Sequence, residues 1–184
     1  MCGLWRRKVT TALVVCCLWV IAGCGHGQGR TLKKYHDSRM TIGTSVQVDV
    51  CASSSQDSAL QEAMARVWNR FDEINQRMNA YDPQSDIGRV NQSGGQAVAV
   101  HPDVCHVVKQ AVAFSRVTGG LFDVTVRPLI EVWRQAAKEG RLPLTDELLQ
   151  ARERIGSGRI EIVEGDDCLI RCDSCRLDLG GIAK

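Results

Sequence analysis

The sequence lacks the features that would place a protein in a strongly charged, repetitive or histidine-rich class. Its 184 residues carry 23 Lys and Arg against 21 Asp and Glu, so the formal net charge at pH 7 is only +2. Basic and acidic residues are interspersed, no segment repeats, and no low-complexity tract occurs. A basic footprint is therefore absent, and no nucleic-acid partner is expected. None of the four histidines is predicted to be a catalyst.

A long apolar run occurs only near the N-terminus, where residues 9–21 follow the basic residues 6–8. Because a membrane span needs about 20 apolar residues, this run is more typical of a secretory signal peptide. The segment Ile21-Ala22-Gly23-Cys24 resembles a lipobox, which predicts a lipoprotein signal peptide over 1–23 and lipidation of Cys24. Simple cleavage at another position is the alternative. Two or three acyl chains, palmitate among them, would anchor the protein firmly in a membrane.

Beyond Cys24, residues 24–38 predict a flexible tether, and 39–184 are long enough for one domain with a core. Strands are predicted at 44–51 and 97–100, and amphipathic helices over 60–78, from Pro102 to Phe114, over 125–138 and after Thr145. Residues 82–96 are turn-rich, and a hairpin is predicted between 168–172 and 176–179. Strands at both ends with helices between them predict an α+β fold, a single domain of antiparallel strands and packed helices.

An odd number of cysteines follows Cys24: Cys51, Cys105, Cys168, Cys172 and Cys175. At least one thiol should therefore stay free or pair between chains. The last three have the spacing of an iron–sulfur site, but they fall across the predicted hairpin of an exported chain. A disulfide between Cys172 and Cys175 across the turn is favoured, and zinc would need a fourth ligand.

The final residues, DLGGIAK at 178–184, read as a strand, a glycine turn and the beginning of a helix. A chain that stops there leaves backbone groups without partners. We therefore expect the domain to continue beyond Lys184, so that this sequence is C-terminally truncated.

Three segments resemble the flavin transferase family, the FAD:protein FMN transferases once linked to thiamine biosynthesis. Residues 78–91, MNAYDPQSDIGRVN, are similar to the family's M-(S/N)-x-Y-x-P-x-S-(D/E)-(L/I)-x-x-(F/V)-N. Residues 118–129, TGGLFDVTVRPL, resemble its (T/S)-x-G-x-F-D-x-T-x-x-P-L, and residues 177–184 match L-D-L-G-G-I-A-K at every position. A weaker match is Thr41-Ile42-Gly43-Thr44, where the family usually shows methionine in place of Ile42.

The resemblance implies a site for FAD and Mg²⁺. The residues that it assigns to FAD are Ile42, Asn79, Ala80, Tyr81, Asp123 and Lys184, and it assigns the Ala183 carbonyl to Mg²⁺. Tyr81 would place its ring against the isoalloxazine, although a tyrosine half-buried over the core is the simpler interpretation. Asp123 is equally suited to be the N-cap of the helix after it. The Gly180-Gly181 turn would let backbone N–H groups approach a phosphate.

The activity that the resemblance implies is Mg²⁺-dependent transfer of FMN from FAD to a threonine of an acceptor subunit in a membrane redox complex, with release of AMP. The enzyme would be a lipid-anchored inner-membrane protein on the periplasmic side. The family's catalytic residues and remaining metal ligands lie downstream of Lys184, so a polypeptide ending there should have little activity. The alternatives are a flavin-binding or FAD-hydrolysing lipoprotein and an inactive truncated lipoprotein without ligand.

Overall fold

The computed structural model describes residues 32–53 and 57–183. Cys24, Lys184 and the predicted signal peptide lie outside these residues. By its internal contacts the chain divides into two units, of which the smaller contains the described residues 32–35, 50–53 and 57, and the larger contains 36–49 and 58–183. In the smaller unit the Tyr35 hydroxyl donates a hydrogen bond to Asp57, and Cys51 carries an exposed free thiol.

A two-stranded sheet begins the described chain, with β1 at Leu32–Thr41 and β2 at Thr44–Ser53. Both residues between the strands have positive φ, 46° at Ile42 and 71° at Gly43, as two-residue hairpin turns of type I′ require. The β2 prediction is confirmed. From Leu32 onward, the segment predicted to be a tether is a strand. The sequence does not indicate this strand, because β1 is rich in charged residues and lacks the apolar alternation that marks a half-buried strand.

The helices follow this hairpin in the sequence, and the short strand Val98–Val100 comes between the second and the third of them. They are α1 (Asp57–Met78), α2 (Asp86–Gln92), α3 (Pro102–Val117), α4 (Arg127–Lys138) and α5 (Thr145–Arg152), and a 3₁₀ turn covers Ser157–Arg159. The predicted long helix, the start at Pro102 and the two later helices are confirmed. Helix α2 was expected to be part of a turn-rich segment, because its seven residues are too few for periodicity to show.

The second sheet has the order β3-β5-β4, from Val98–Val100, Cys168–Cys172 and Ile160–Glu164, with both pairs antiparallel. The α+β prediction with antiparallel strands is therefore confirmed. The predicted hairpin between 168–172 and 176–179 is wrong, because β5 pairs with β3 and β4 instead. The Asn91 side chain takes the place of a strand partner for Leu177, accepting from its N–H at 2.6 Å and donating to its carbonyl at 2.9 Å.

The core of the larger unit lies between this sheet, α2 and α3. Its fully buried members include Ile87 and Val90 on α2, Val104 and Val108 on α3, Ile170 on β5, and Leu177 and Leu179 after it. Burial of each such side chain stabilises the fold by about 1.5–3 kcal/mol. The chain that carries 177–179 is therefore fixed by the core before it turns at Gly180.

Two disulfides bind the larger unit. Cys172 and Cys175 are joined, with Cα atoms 5.4 Å apart, which confirms that expectation. The second links Cys105 on α3 to Cys168 on β5, with a Cα separation of 6.2 Å, and nothing in the sequence pattern indicated this pairing. All three cysteines that have the spacing of an iron–sulfur site are therefore in disulfides, Cys168 in one and Cys172 and Cys175 in the other.

Across residues 32–53 and 57–183, no helix combines the length and the hydropathy that membrane crossing requires.

Candidate functional site

A cleft of about 900 Å³ in the larger unit collects residues from distant parts of the sequence. Every expected site residue within the described chain lines it, and these are Ile42, Asn79, Ala80, Tyr81, Asp123 and Ala183. The structure thus brings together the hairpin turn, the segment after α1, the segment before α4 and the glycine turn near the C-terminus. Their roles toward a ligand remain predictions.

The segment that presents Tyr81 is a tight turn between α1 and α2. The Asn79 side chain accepts from the Tyr81 N–H at 2.9 Å, and the Asn79 carbonyl accepts from the Ser85 hydroxyl at 2.7 Å. Ser85 also caps α2 by accepting from the Gly88 N–H at 2.8 Å. A Cβ on Gly88 would lie 1.9 Å from the Asp82 carbonyl oxygen, so only glycine fits this approach.

The Tyr81 side chain is held at three points. Its hydroxyl donates to Asp178 at 2.9 Å, and the guanidinium carbons of Arg127 and Arg134 lie 4.3 and 4.4 Å from its ring centroid. Partial burial, followed by the hydrogen bond to Asp178, raises the pKa of Tyr81 above its usual value. At neutral pH the phenol is therefore protonated and remains a donor. Its side chain is still 49% exposed, which leaves part of the ring open to the cleft.

The Asp123 carboxylate organises the loop before α4. It accepts from the Thr125 N–H at 2.8 Å, the Thr125 hydroxyl at 2.6 Å and the Ser157 N–H at 2.9 Å. The Thr125 hydroxyl oxygen in turn accepts from the Gly156 N–H at 2.7 Å. The N-cap interpretation of Asp123 is wrong, because α4 begins at Arg127 with Val126 in the cap position and no side-chain cap. Asp123 instead ties two loops together at the cleft.

The glycine turn closes another side of the cleft. The N–H groups of Ile182 and Ala183 both donate to the Leu179 carbonyl, at 3.0 and 2.8 Å, so the chain enters a helical turn here. The Gly180 N–H donates to Asp178 at 2.9 Å. A Cβ on Gly181 would lie 3.3 Å from the Phe122 ring, so the backbone approaches that ring closely. Three of the four N–H groups in this turn thus have acceptors close by, and among the described residues only the Gly181 N–H is left to donate to an anion.

Asp178, Arg127 and Arg134 were not singled out from the sequence. Asp178 lies inside the last matched segment and Arg127 inside the second, but their importance depends on Tyr81, which is distant in sequence. Arg134 lies seven residues after Arg127, a spacing that places both on one face of α4. That spacing was the one available signal.

The described residues do not by themselves make a site for Mg²⁺. Within 32–53 and 57–183, no group of three His, Cys, Asp or Glu side chains is placed to hold a metal ion. The Ala183 carbonyl borders the cleft. One neutral oxygen is too little for Mg²⁺, which prefers octahedral coordination by oxygen.

Comparison with known proteins places this geometry in context. Residues 42–184 match the family model of the ApbE family. The FAD:protein FMN transferase of Vibrio cholerae (strain O395) is 30% identical over 172 residues, covering 91% of this chain and 49% of that protein. The FAD:protein FMN transferase of Treponema pallidum is 24% identical over 190 residues, covering 100% of this chain and 51% of that protein.

Solved structures agree. The ApbE protein of Thermotoga maritima aligns with a TM-score of 0.70 at 25% identity, covering 82% of this chain and 48% of that one. The flavin transferase ApbE from Vibrio cholerae aligns with a TM-score of 0.68 at 27% identity, covering 84% of this chain and 50% of that one. The chain spans about half the length of the curated relatives it matches.

Proposed function

Since the chain belongs to the ApbE family, we propose that it forms the flavin-binding part of an enzyme that transfers FMN from FAD to a threonine of an acceptor protein. The observation that carries this proposal is the convergence of Ile42, Asn79, Ala80, Tyr81, Asp123 and Ala183 on one cleft. These residues come from four separate segments of the sequence. A random set of surface residues would not meet in this way.

The size and lining of the cleft support FAD as the ligand. Its volume of about 900 Å³ is within the range of small-molecule sites, about 300–1,000 Å³. Apolar side chains such as Ile42, Phe122 and Leu179 line it with a few polar groups. Tyr81 offers the exposed part of its ring to the isoalloxazine, and the Gly181 N–H in the glycine turn offers one hydrogen bond to the pyrophosphate.

The reaction is a phosphoryl-group substitution. The threonine hydroxyl oxygen of the acceptor forms a bond to the FMN phosphorus, and the phosphorus–oxygen bond to the AMP phosphate breaks. AMP leaves with the bonding electron pair, and the hydroxyl proton passes to solvent or to a base. The described residues supply binding and orientation for this step, which bring the reacting groups together.

Mg²⁺ enters the proposal only through the Ala183 carbonyl. When bound, this ion would neutralise charge on the phosphates. Because the described residues do not complete its site, we assign it no step, and we propose that its other ligands lie outside them. A calorimetric titration of the 184-residue chain with Mg²⁺ should then show no binding in the micromolar range.

The proposed location is the periplasmic side of the inner membrane, with lipid on Cys24 and the acceptor a subunit of a membrane redox complex. The basic residues, apolar run and lipobox-like segment before Cys24 support it. The intact mass of the native protein extracted from membranes tests it. A mass without acyl groups would contradict the anchor.

The first test of function is binding and product analysis. FAD should raise the melting temperature of the 184-residue chain, because a ligand at 100 times its Kd stabilises by about 2.7 kcal/mol. With acceptor and Mg²⁺, an active protein yields AMP and an acceptor heavier by FMN. AMP and free FMN without acceptor would indicate an FAD hydrolase instead. No FAD-dependent shift in folded protein would favour a lipoprotein without ligand.

A further inference from the structure

A second groove, of about 790 Å³, meets the cleft at Ala80 and Tyr81, which line both. We call it the arginine groove, because Arg127, Arg154 and Arg176 line it. Its other walls are the Cys172–Cys175 disulfide and the turn-rich segment around Gly94 and Gly95. Apart from Ala80 and Tyr81, none of the described residues proposed for the FAD site lines this groove.

The charge of the arginine groove is only partly compensated. No Asp or Glu is among its lining residues. One neighbouring carboxylate, Glu131, serves two of the arginines, accepting from Arg127 Nε at 3.0 Å and from Arg176 Nη1 at 3.0 Å. The Arg154 side chain is exposed and has no hydrogen-bond or ion-pair partner among the described residues. Among its described lining residues the groove therefore has an excess of positive charge, although Asp173 Oδ1 would lie 3.6 Å from a Cβ on Gly95 at one wall.

The buried side of the groove adds to this excess. The Arg127 side chain is only 12% exposed, and its Nη1 is a buried donor without a hydrogen-bond partner among the described residues. A carboxylate oxygen of Asp178 lies 4.0 Å from it and already accepts from Tyr81. A guanidinium placed in a poorly solvated wall makes the potential in the groove more positive.

The shape and lining favour a protein segment over a nucleotide. Tyr81 is the one aromatic residue among the described lining residues, and its ring is proposed to contact the flavin, so the groove offers a nucleobase no second ring to stack on. A Cβ placed on Gly94 would have no atom within 4 Å, so there is open space beside the backbone at this wall. Arginine is well suited to bind carboxylates through paired hydrogen bonds.

We propose that the arginine groove docks an acidic segment of the acceptor protein next to the threonine that receives FMN. This inference rests on the proposed function, because it needs a flavin in the neighbouring cleft. A segment bound in the groove ends beside Tyr81, at the boundary that the two spaces share. Docking there brings the residues next to it to the cleft, where the FMN phosphate would lie.

Fluorescence anisotropy of a short labelled peptide on the 184-residue chain, with FAD at saturation, tests this proposal. The peptide carries a threonine flanked by aspartates and glutamates, and its matched control carries asparagines and glutamines. The protein variants are Arg154→Gln and Arg176→Gln, of which the second leaves Glu131 paired with Arg127. The control variant is Arg116→Gln, an exposed arginine that lines neither space. FAD affinity is measured for each protein.

The acidic peptide should bind, and the amide peptide should bind at least about tenfold more weakly. Each groove variant should weaken acidic-peptide binding by roughly threefold to tenfold without changing FAD affinity, and Arg116→Gln should leave both unchanged. The proposal is overturned if the groove variants bind the peptide as the control variant does. It is also overturned if the peptide fails to bind a protein that binds FAD, or if inorganic pyrophosphate displaces the peptide while FAD stays bound. Arginine-dependent peptide binding without any FAD binding would instead contradict the proposed function and, with it, the role of docking in FMN transfer, and would leave only the preference of the groove for acidic segments.

Discussion

The cleft and the arginine groove share Ala80 and Tyr81, yet their surroundings differ in kind. Around the cleft, both carboxylates are hydrogen-bonded within the protein, since Asp123 accepts from four donors and Asp178 accepts from Tyr81 and Gly180. Arg134 and Arg152 also line the cleft, so it contains charges of both signs. Around the groove, Arg127 and Arg176 both pair with the carboxylate of Glu131. The Arg154 side chain has no hydrogen-bond or ion-pair partner among the described residues. The cleft therefore combines apolar walls with charges of both signs, whereas the described lining of the groove contains three arginines and no carboxylate.

Tyr81 stands at the boundary between the two, and its contacts come from both. Its hydroxyl is committed to Asp178, which lies in the cleft wall, and its ring contacts Arg127, which lies in the groove wall. One side chain is thus positioned by the apolar site and the cationic site together. Substitutions in the cleft wall or in the groove wall should therefore change the position of the Tyr81 side chain.

The largest expected effect comes from Gly88→Ala, which should disrupt both spaces. The added Cβ would meet the Asp82 carbonyl oxygen at 1.9 Å, and backbone cannot yield as a flexible side chain does. We expect a loss of about 3 kcal/mol or more in the free energy of unfolding, measured by denaturant titration. Gly158→Ala is the matched control, because a Cβ there would have no atom within 4 Å. Equal stability of the two variants would show that the Asn79–Gly88 turn is not under this constraint.

Tyr81→Ala should remove the side chain that separates the cleft from the arginine groove. The fold should stay intact, since this side chain is half-exposed. We expect FAD to bind about tenfold more weakly by fluorescence titration, because the ring's contact with the flavin is lost. Tyr81→Phe keeps the ring and removes only the bond to Asp178, so its effect should be smaller. Tyr35→Phe, in the smaller unit, serves as the control. Unchanged affinity in Tyr81→Ala would remove Tyr81 from the flavin site.

Asp123→Asn separates the structural role of this residue from its predicted ligand role. The substitution replaces the charged carboxylate that accepts hydrogen bonds from Ser157 and Thr125 with a neutral amide. The free energy of unfolding should therefore fall by about 1–3 kcal/mol. Asp166→Asn, at an exposed turn residue, is the control. FAD affinity is then measured well below the melting temperature. If Asp123→Asn is folded and binds FAD more weakly than Asp166→Asn does, the result supports contact between Asp123 and FAD. An unchanged affinity contradicts that contact.

Asp178→Asn gives the smallest effect, a change in the titration of Tyr81. The folded pKa of Tyr81 is raised, so the stabilisation from its protonated form is present below the ordinary pKa of about 10 and is lost as pH rises through the folded value. Burial is the larger cause, so removing the Asp178 carboxylate should lower the pKa of Tyr81 only part of the way back. Ultraviolet difference titration in a Tyr35→Phe background isolates it, since the chain has 2 tyrosines. An unmoved titration would show that the hydrogen bond contributes nothing.

Much of the fold could be predicted because the relevant patterns are local. The α1 helix shows its apolar stripe over 22 residues, and Pro102 marks a helix start by itself. Where the local sequence pattern did not predict the structure, a residue or strand elsewhere in the chain determined it. Strand β1 is recognisable only by its pairing with β2, and the 176–179 segment bonds to the Asn91 side chain in place of a strand. The Cys105–Cys168 bridge spans 63 residues, a separation that no local signal reports.

The sequence by itself determined the family resemblance, the helical and strand-forming segments, and the residues around which a flavin site was expected, because these depend on residue identity and short-range order. Only the tertiary structure decided that Asp123 ties two loops together, that Arg127, Arg134 and Asp178 hold Tyr81, and that an arginine-lined groove adjoins the cleft. The physical reason is that hydrogen bonds and guanidinium–ring contacts act over a few ångströms in space. Tyr81 and Asp178 are separated by 97 positions in the chain and by 2.9 Å in the fold.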